Sequence, residues 1–89
     1  MLYMIVEDFE DRAVPVYRRL RDRGRVLPEG LRYVSSWVTS DFRRCYQLME
    51  TDDRELLDAW AREWADLVQF DIVPVMTSAE AQAAIAPQL

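Results

Sequence analysis

Along this chain, short apolar runs compatible with strands give way twice to apolar residues at helical spacing. Leu2 to Glu7 is apolar and β-compatible and predicts a first strand. The acidic segment Asp8 to Asp11 suits a turn. Pro15 lacks a backbone donor and clashes inside a helix but fits the first turn, so helix one should start near Arg12 to Val14. Val14, Tyr17 and Leu20 then repeat at helical spacing and predict one apolar stripe, with Gly24 as the C-terminal stop. A loop with Pro28 and Gly30 leads into a second strand, Leu31 to Val38. Thr39, Ser40 and Asp41 make a short turn into a third strand, Phe42 to Glu50, and so short a connection predicts a hairpin. Asp52 with Glu55 three residues later fits a capping box for helix two, followed by Leu56, Leu57, Trp60, Trp64 and Leu67. A fourth strand covers Phe70 to Met76. Pro74 cannot donate to a ladder, which places that strand at a sheet edge. In the alanine-rich tail, Ser78 is positioned to cap a short final helix.

Strand, helix, strand, strand, helix, strand is the order of an α+β, ferredoxin-like βαββαβ domain: a four-stranded antiparallel sheet with two helices on one face. That domain is expected over residues 1–77, with a C-terminal tail over 78–89. A sheet covered on one side should alternate apolar and polar positions. These strands do not. Strand one has Leu2, Met4 and Val6 in one phase and Tyr3 and Ile5 in the other. Strand three has Phe42, Tyr46 and Leu48 against Cys45 and Met49, and strand four has Phe70, Ile72 and Met76 against Val73 and Val75. Two helices cover only one face, and soluble proteins avoid leaving the other as a large exposed patch. The simplest cover is the same face of a second copy about a two-fold axis, so a homodimer closing into an α/β barrel is expected.

Composition narrows the chemistry. Eighty-nine residues make one domain with a thin core, burying ~60–65% of the unfolded surface. No apolar run is long enough to span a bilayer, and Met1 to Glu7 has no basic n-region, so it reads as a strand rather than a signal peptide. The single cysteine, Cys45, allows no internal disulfide and no zinc spacing, which makes a reducing cytoplasm the default location. Histidine and lysine are absent, and all eleven basic residues are arginine. Without histidine there is no Ser-His or Cys-His nucleophile pair, no imidazole base and no histidine-ligated metal or haem. From Arg12 to Arg32 seven arginines face two acids (+5), and from Glu50 to Asp66 seven acids face two arginines (−5). Side by side on one sheet face, the two helices would be complementary. The other reading of the arginines is an anion or nucleic-acid site, but an overall charge of −5 counts against nucleic acid.

Val16-Tyr17-Arg18-Arg19 through Arg23-Gly24-Arg25 to Gly30-Leu31-Arg32-Tyr33-Val34, the segment Arg44-Cys45-Tyr46-Gln47-Leu48-Met49-Glu50 and the closing Val73-Pro74-Val75-Met76-Thr77-Ser78 carry a resemblance. They resemble a family of small uncharacterised bacterial proteins known as a domain of unknown function. The order of elements is similar to that of the dimeric α/β-barrel superfamily, which includes muconolactone isomerase and cofactor-free antibiotic-biosynthesis monooxygenases. The resemblance covers nearly the whole chain. It implies the fold and a ligand position between sheet and helices, and no reaction.

Polar groups on otherwise apolar strands would mark such a pocket. Strand three offers Cys45 and Gln47, strand two Tyr33 and Trp37, and helix two Trp60 and Trp64. Each also has a structural reading: the tryptophans as core, Gln47 as a strand or interface tie, Cys45 as an inert buried thiol. Glu50 and Asp71 would be acid/base candidates if desolvated, against surface pairing with Arg43 or Arg44. No cofactor, metal, membrane or nucleic-acid partner is expected. Two function classes compete: a dimeric module binding a small apolar or aromatic ligand, and a cofactor-free monooxygenase or isomerase. The absence of an evident acid/base pair favours the module.

Overall fold

The computed structural model describes all 89 residues. The elements are β1 (Leu2–Asp8), α1 (Ala13–Arg23), β2 (Arg32–Val38), β3 (Arg44–Glu50), α2 (Arg54–Trp64), β4 (Gln69–Val75) and α3 (Ser78–Ile85), followed by one 3₁₀ turn, Ala86–Gln88. The fold is α+β: one four-stranded antiparallel sheet in the order β2-β3-β1-β4 with three helices, compatible with a ferredoxin-like arrangement. β4 lies at an edge, where the missing donor of Pro74 costs no ladder bond.

The central strands set the core. Across β1 and β3, Tyr3 faces Met49, Ile5 faces Gln47 and Glu7 faces Cys45, and all six side chains are buried. Val16 of α1 and Leu57, Trp60 and Trp64 of α2 join the same cluster as Tyr3, Ile5 and Met49, so both helices cover one sheet face. The helices also meet each other. Arg19 makes two parallel bonds to the Asp66 carboxylate, 2.8 and 2.6 Å, and a third to the Glu63 carbonyl at 3.1 Å. Asp66 is pulled below the usual carboxylate range, chiefly by the Arg19 hydrogen bonds. The opposed charges of the two segments thus meet at one bidentate pair rather than along the helices.

Several local expectations shift. The apolar stripe of α1 runs through Ala13, Val16 and Leu20, and Val14 points away, 66% exposed. Asp53, not Asp52, caps α2: its carboxylate accepts from the Glu55 amide at 2.9 Å. Thr51 Oγ1 accepts from the Asp53 amide and moves the cap one residue on. Thr77, not Ser78, caps α3 and forms a full capping box with Glu80. No residue of α3 is buried. β3 begins at Arg44, because Phe42 turns the chain at φ 61° and packs edge-on against Tyr17 instead of joining the sheet.

The outer sheet face carries Leu2, Met4, Val6, Tyr46, Leu48, Trp37, Val73 and Val75, and none of these is buried. Arg32 and Glu50 form an ion pair at 2.7 Å at its border. No helix of the chain is long and apolar enough to cross a membrane.

Candidate functional site

A cavity of about 120 Å³ lies between the inner sheet face and the helices. Val16, Tyr17 and Leu20 of α1 and Trp60 and Trp64 of α2 form one side, and Ser36, Val38, Cys45 and Gln47 form the sheet side. Phe9 and Arg25 close it. A larger open groove of about 590 Å³ crosses Val14, Tyr17 and Phe42, but no buried polar group faces it. The smaller cavity is therefore the candidate site.

Of the residues expected from sequence, Cys45, Gln47, Trp60 and Trp64 line this one cavity. Tyr33 stands just outside it on the same face. Its hydroxyl is 2.7 Å from Ser36 Oγ, and its ring lies 3.8 Å beneath the Arg25 guanidinium. Trp37 is elsewhere: it lies on the outer face, 56% exposed. The cause is a register irregularity between Tyr33 and Ser35. One extra residue in β2 flips the phase beyond it, so Tyr33, Ser36 and Val38 pair with the inward Met49, Gln47 and Cys45, while Trp37 pairs with Tyr46. Glu50 and Asp71 also fall outside. Glu50 pairs with Arg32 rather than with Arg43 or Arg44, and Asp71 is exposed in the outward phase of β4, opposite Val6.

Polar groups converge here with few partners. Gln47 is 5% exposed, and its amide nitrogen donates only to Met49 Sδ at 3.0 Å, a weak acceptor. Both tryptophans point their indole N–H at the Arg25 carbonyl, at 2.9 and 3.2 Å. Those two bonds pin the α1–β2 loop beside the cavity, and the next residue, Val26, sits at φ 58°. A β-branched residue in the left-handed region is strained by about 1–2 kcal/mol. Val26→Gly should accordingly raise stability in urea by about 1 kcal/mol, the relief being partly offset by glycine's entropy. Unchanged or lower stability would show that the loop holds no such strain.

Two charged groups are unexpected from sequence: Arg25, which lines the cavity, and Glu7, which stands opposite the lining residue Cys45 but does not itself line the cavity. Glu7 is 7% exposed and its Oε2 has no partner; Arg25 Nε is buried and also has none. Burial pushes the Glu7 carboxyl up to about 7, against a Cys45 thiol hydrogen bond and the charge of Arg25, which both pull it down. Burial pushes the Cys45 thiol up to about 12, helped by the neighbouring Glu7 charge, so no nucleophilic thiolate forms at neutral pH. A signal for Glu7 existed: it continues the inward phase of Tyr3 and Ile5. Arg25 gave none, being one of a run of arginines.

The raised Glu7 value has a definite sign. The folded state holds this proton more tightly than the unfolded chain. The associated stability is present in full below about pH 4.5 and is lost as pH rises to about 7. Glu7→Gln should therefore be more stable than the parent at pH 8 by up to about 3 kcal/mol, with the gap closing near pH 4.5. Equal urea midpoints at pH 8 would show that Glu7 is not desolvated.

Neither the curated proteins nor the solved structures contain a match to this chain. One family model, described as Domain of unknown function (DUF3303), matches residues 1–89. Its match spans every element that builds the cavity, and the chain belongs to that family.

Proposed function

We propose that this chain is a cytoplasmic, ferredoxin-like homodimer whose outer sheet faces close into an α/β barrel, and that each subunit binds one small flat molecule between its sheet and helices. The Gln47 amide carries the binding reading. It is buried at the cavity wall with only a thioether as partner, and buried amides are otherwise hydrogen-bonded. Aromatic walls, one amide and the hydroxyl-bearing Ser36 and Tyr17 suit a planar, mostly apolar ligand. The uncovered row Leu2, Met4, Val6, Tyr46 and Leu48 supports the dimer, whose total interface should reach about 1,200–2,000 Å².

Gln47→Leu tests the site. As a ligand group facing a void, Gln47 can be replaced with little loss of stability, within about 0.5 kcal/mol, while any copurified small molecule disappears. As a structural tie, its loss would destabilise by ~1–3 kcal/mol and leave ligand content unchanged.

A second reading, a cofactor-free isomerase or monooxygenase, gains from Glu7. A buried carboxyl titrating near 7 can take up and return a proton at neutral pH. In this reading Glu7, rather than the exposed Asp71 or the ion-paired Glu50, is the desolvated acid/base group.

A further inference from the structure

We propose that the cavity is an anion site in which Arg25 holds the carboxylate of a small, flat organic acid whose body rests against Trp60 and Trp64. This rests on reading the cavity as a ligand site and names the class of ligand.

Arg25 differs from the other arginines of its segment. Arg12, Arg19, Arg21 and Arg32 each pair with a carboxylate within 4.0 Å; Arg18, Arg23 and Arg25 do not, and of these three only Arg25 is partly shielded from solvent, the other two being exposed. Its guanidinium stacks on the Tyr33 ring at 3.8 Å, and its Nε is buried without an acceptor. Stacking occupies the flat face of a guanidinium and leaves its in-plane donors free, the geometry that takes a carboxylate in two parallel bonds. The position is imposed: two indoles grip the Arg25 carbonyl, and Val26 beside it is held in a strained conformation. For size, an apolar cavity of ~150 Å³ holds one benzene. The volume here, about 120 Å³, is somewhat smaller, so it takes the carboxylate and part of a single ring and excludes anything larger.

The titratable groups around Arg25 come from four elements: Glu7 of β1, Tyr17 of α1, Tyr33 of β2 and Cys45 of β3. α2 brings only the two indoles. Burial raises both the Tyr17 hydroxyl and the Cys45 thiol, so both stay protonated at neutral pH. Glu7 is thus the acid that changes charge. Protonated, it leaves the guanidinium free for a ligand. Ionised, it offsets the Arg25 charge from beyond ion-pair distance and repels the incoming anion. Acid binding and proton uptake are therefore linked.

Titration calorimetry with benzoate, acetate and the neutral benzamide tests this between pH 6 and 9. Benzoate should bind at least about tenfold more tightly than benzamide at pH 6. Its affinity should fall by up to tenfold per pH unit above about 7, with one proton taken up per ligand. Glu7→Gln should keep benzoate binding and remove the pH dependence. Arg25→Met should remove the preference for benzoate. The parent's pH profile and Glu7→Gln read the same claim if Arg25→Met does not fold. Equal binding of benzamide and benzoate overturns the anion site and leaves the cavity reading standing. Benzoate binding that is flat across pH in the parent overturns the link to Glu7. No binding of any of the three probes overturns both the inference and the reading beneath it.

Discussion

Trp60→Ala should destabilise the protein by about 3–5 kcal/mol in urea, the range for removing a large aromatic side chain from a core. The indole is 3% exposed, meets Phe70 edge-on at 5.5 Å and bonds the Arg25 carbonyl. A domain of this length has a total stability of roughly 4–13 kcal/mol, so the variant stands close to unfolding. Trp60→Phe separates packing from the hydrogen bond: it keeps most of the ring and should lose about 1 kcal/mol. A loss below about 1 kcal/mol for alanine would mean that Trp60 is a mobile cavity wall and not part of the core.

Met4→Arg should convert the proposed dimer to a monomer, raising the dissociation constant by at least about a thousandfold. Met4 sits at the centre of the outer face, between Leu48 of β3 and Val73 of β4. In one subunit the face is open, so an arginine there can reach water and the fold should persist. Between two facing sheets it would be an unpaired buried charge, which costs several kcal/mol. Sedimentation at micromolar concentration reads the outcome, and far-UV circular dichroism confirms that the subunit stays folded. A dimer as tight as the parent's would place the interface elsewhere.

Much of the fold is legible in the residue pattern because the strong signals are local. Pro15 and Gly24 bracket α1, Pro74 marks an edge strand, and the spacing of Leu57, Trp60 and Trp64 gives the buried side of α2. Four cavity-lining residues, Cys45, Gln47, Trp60 and Trp64, were legible for the same reason, since strand phase and helical period put them on inward faces. What was not legible depends on single-residue backbone events. The extra residue in β2 sends Trp37 outward, the left-handed Phe42 delays β3, and Thr51 moves the α2 cap to Asp53. Arg25 enters the site only because Val26 turns the chain and two distant indoles hold the carbonyl, contacts made across more than thirty residues. Glu7 was visible as an inward position, but its proximity to Cys45 and Arg25, which gives it chemical interest, is tertiary.

The most direct test is native mass spectrometry of freshly purified protein at micromolar concentration. A species of twice 10.5 kDa is expected, carrying a small bound mass that is lost in Gln47→Leu. A bare 10.5 kDa monomer would contradict both the barrel and the occupied cavity.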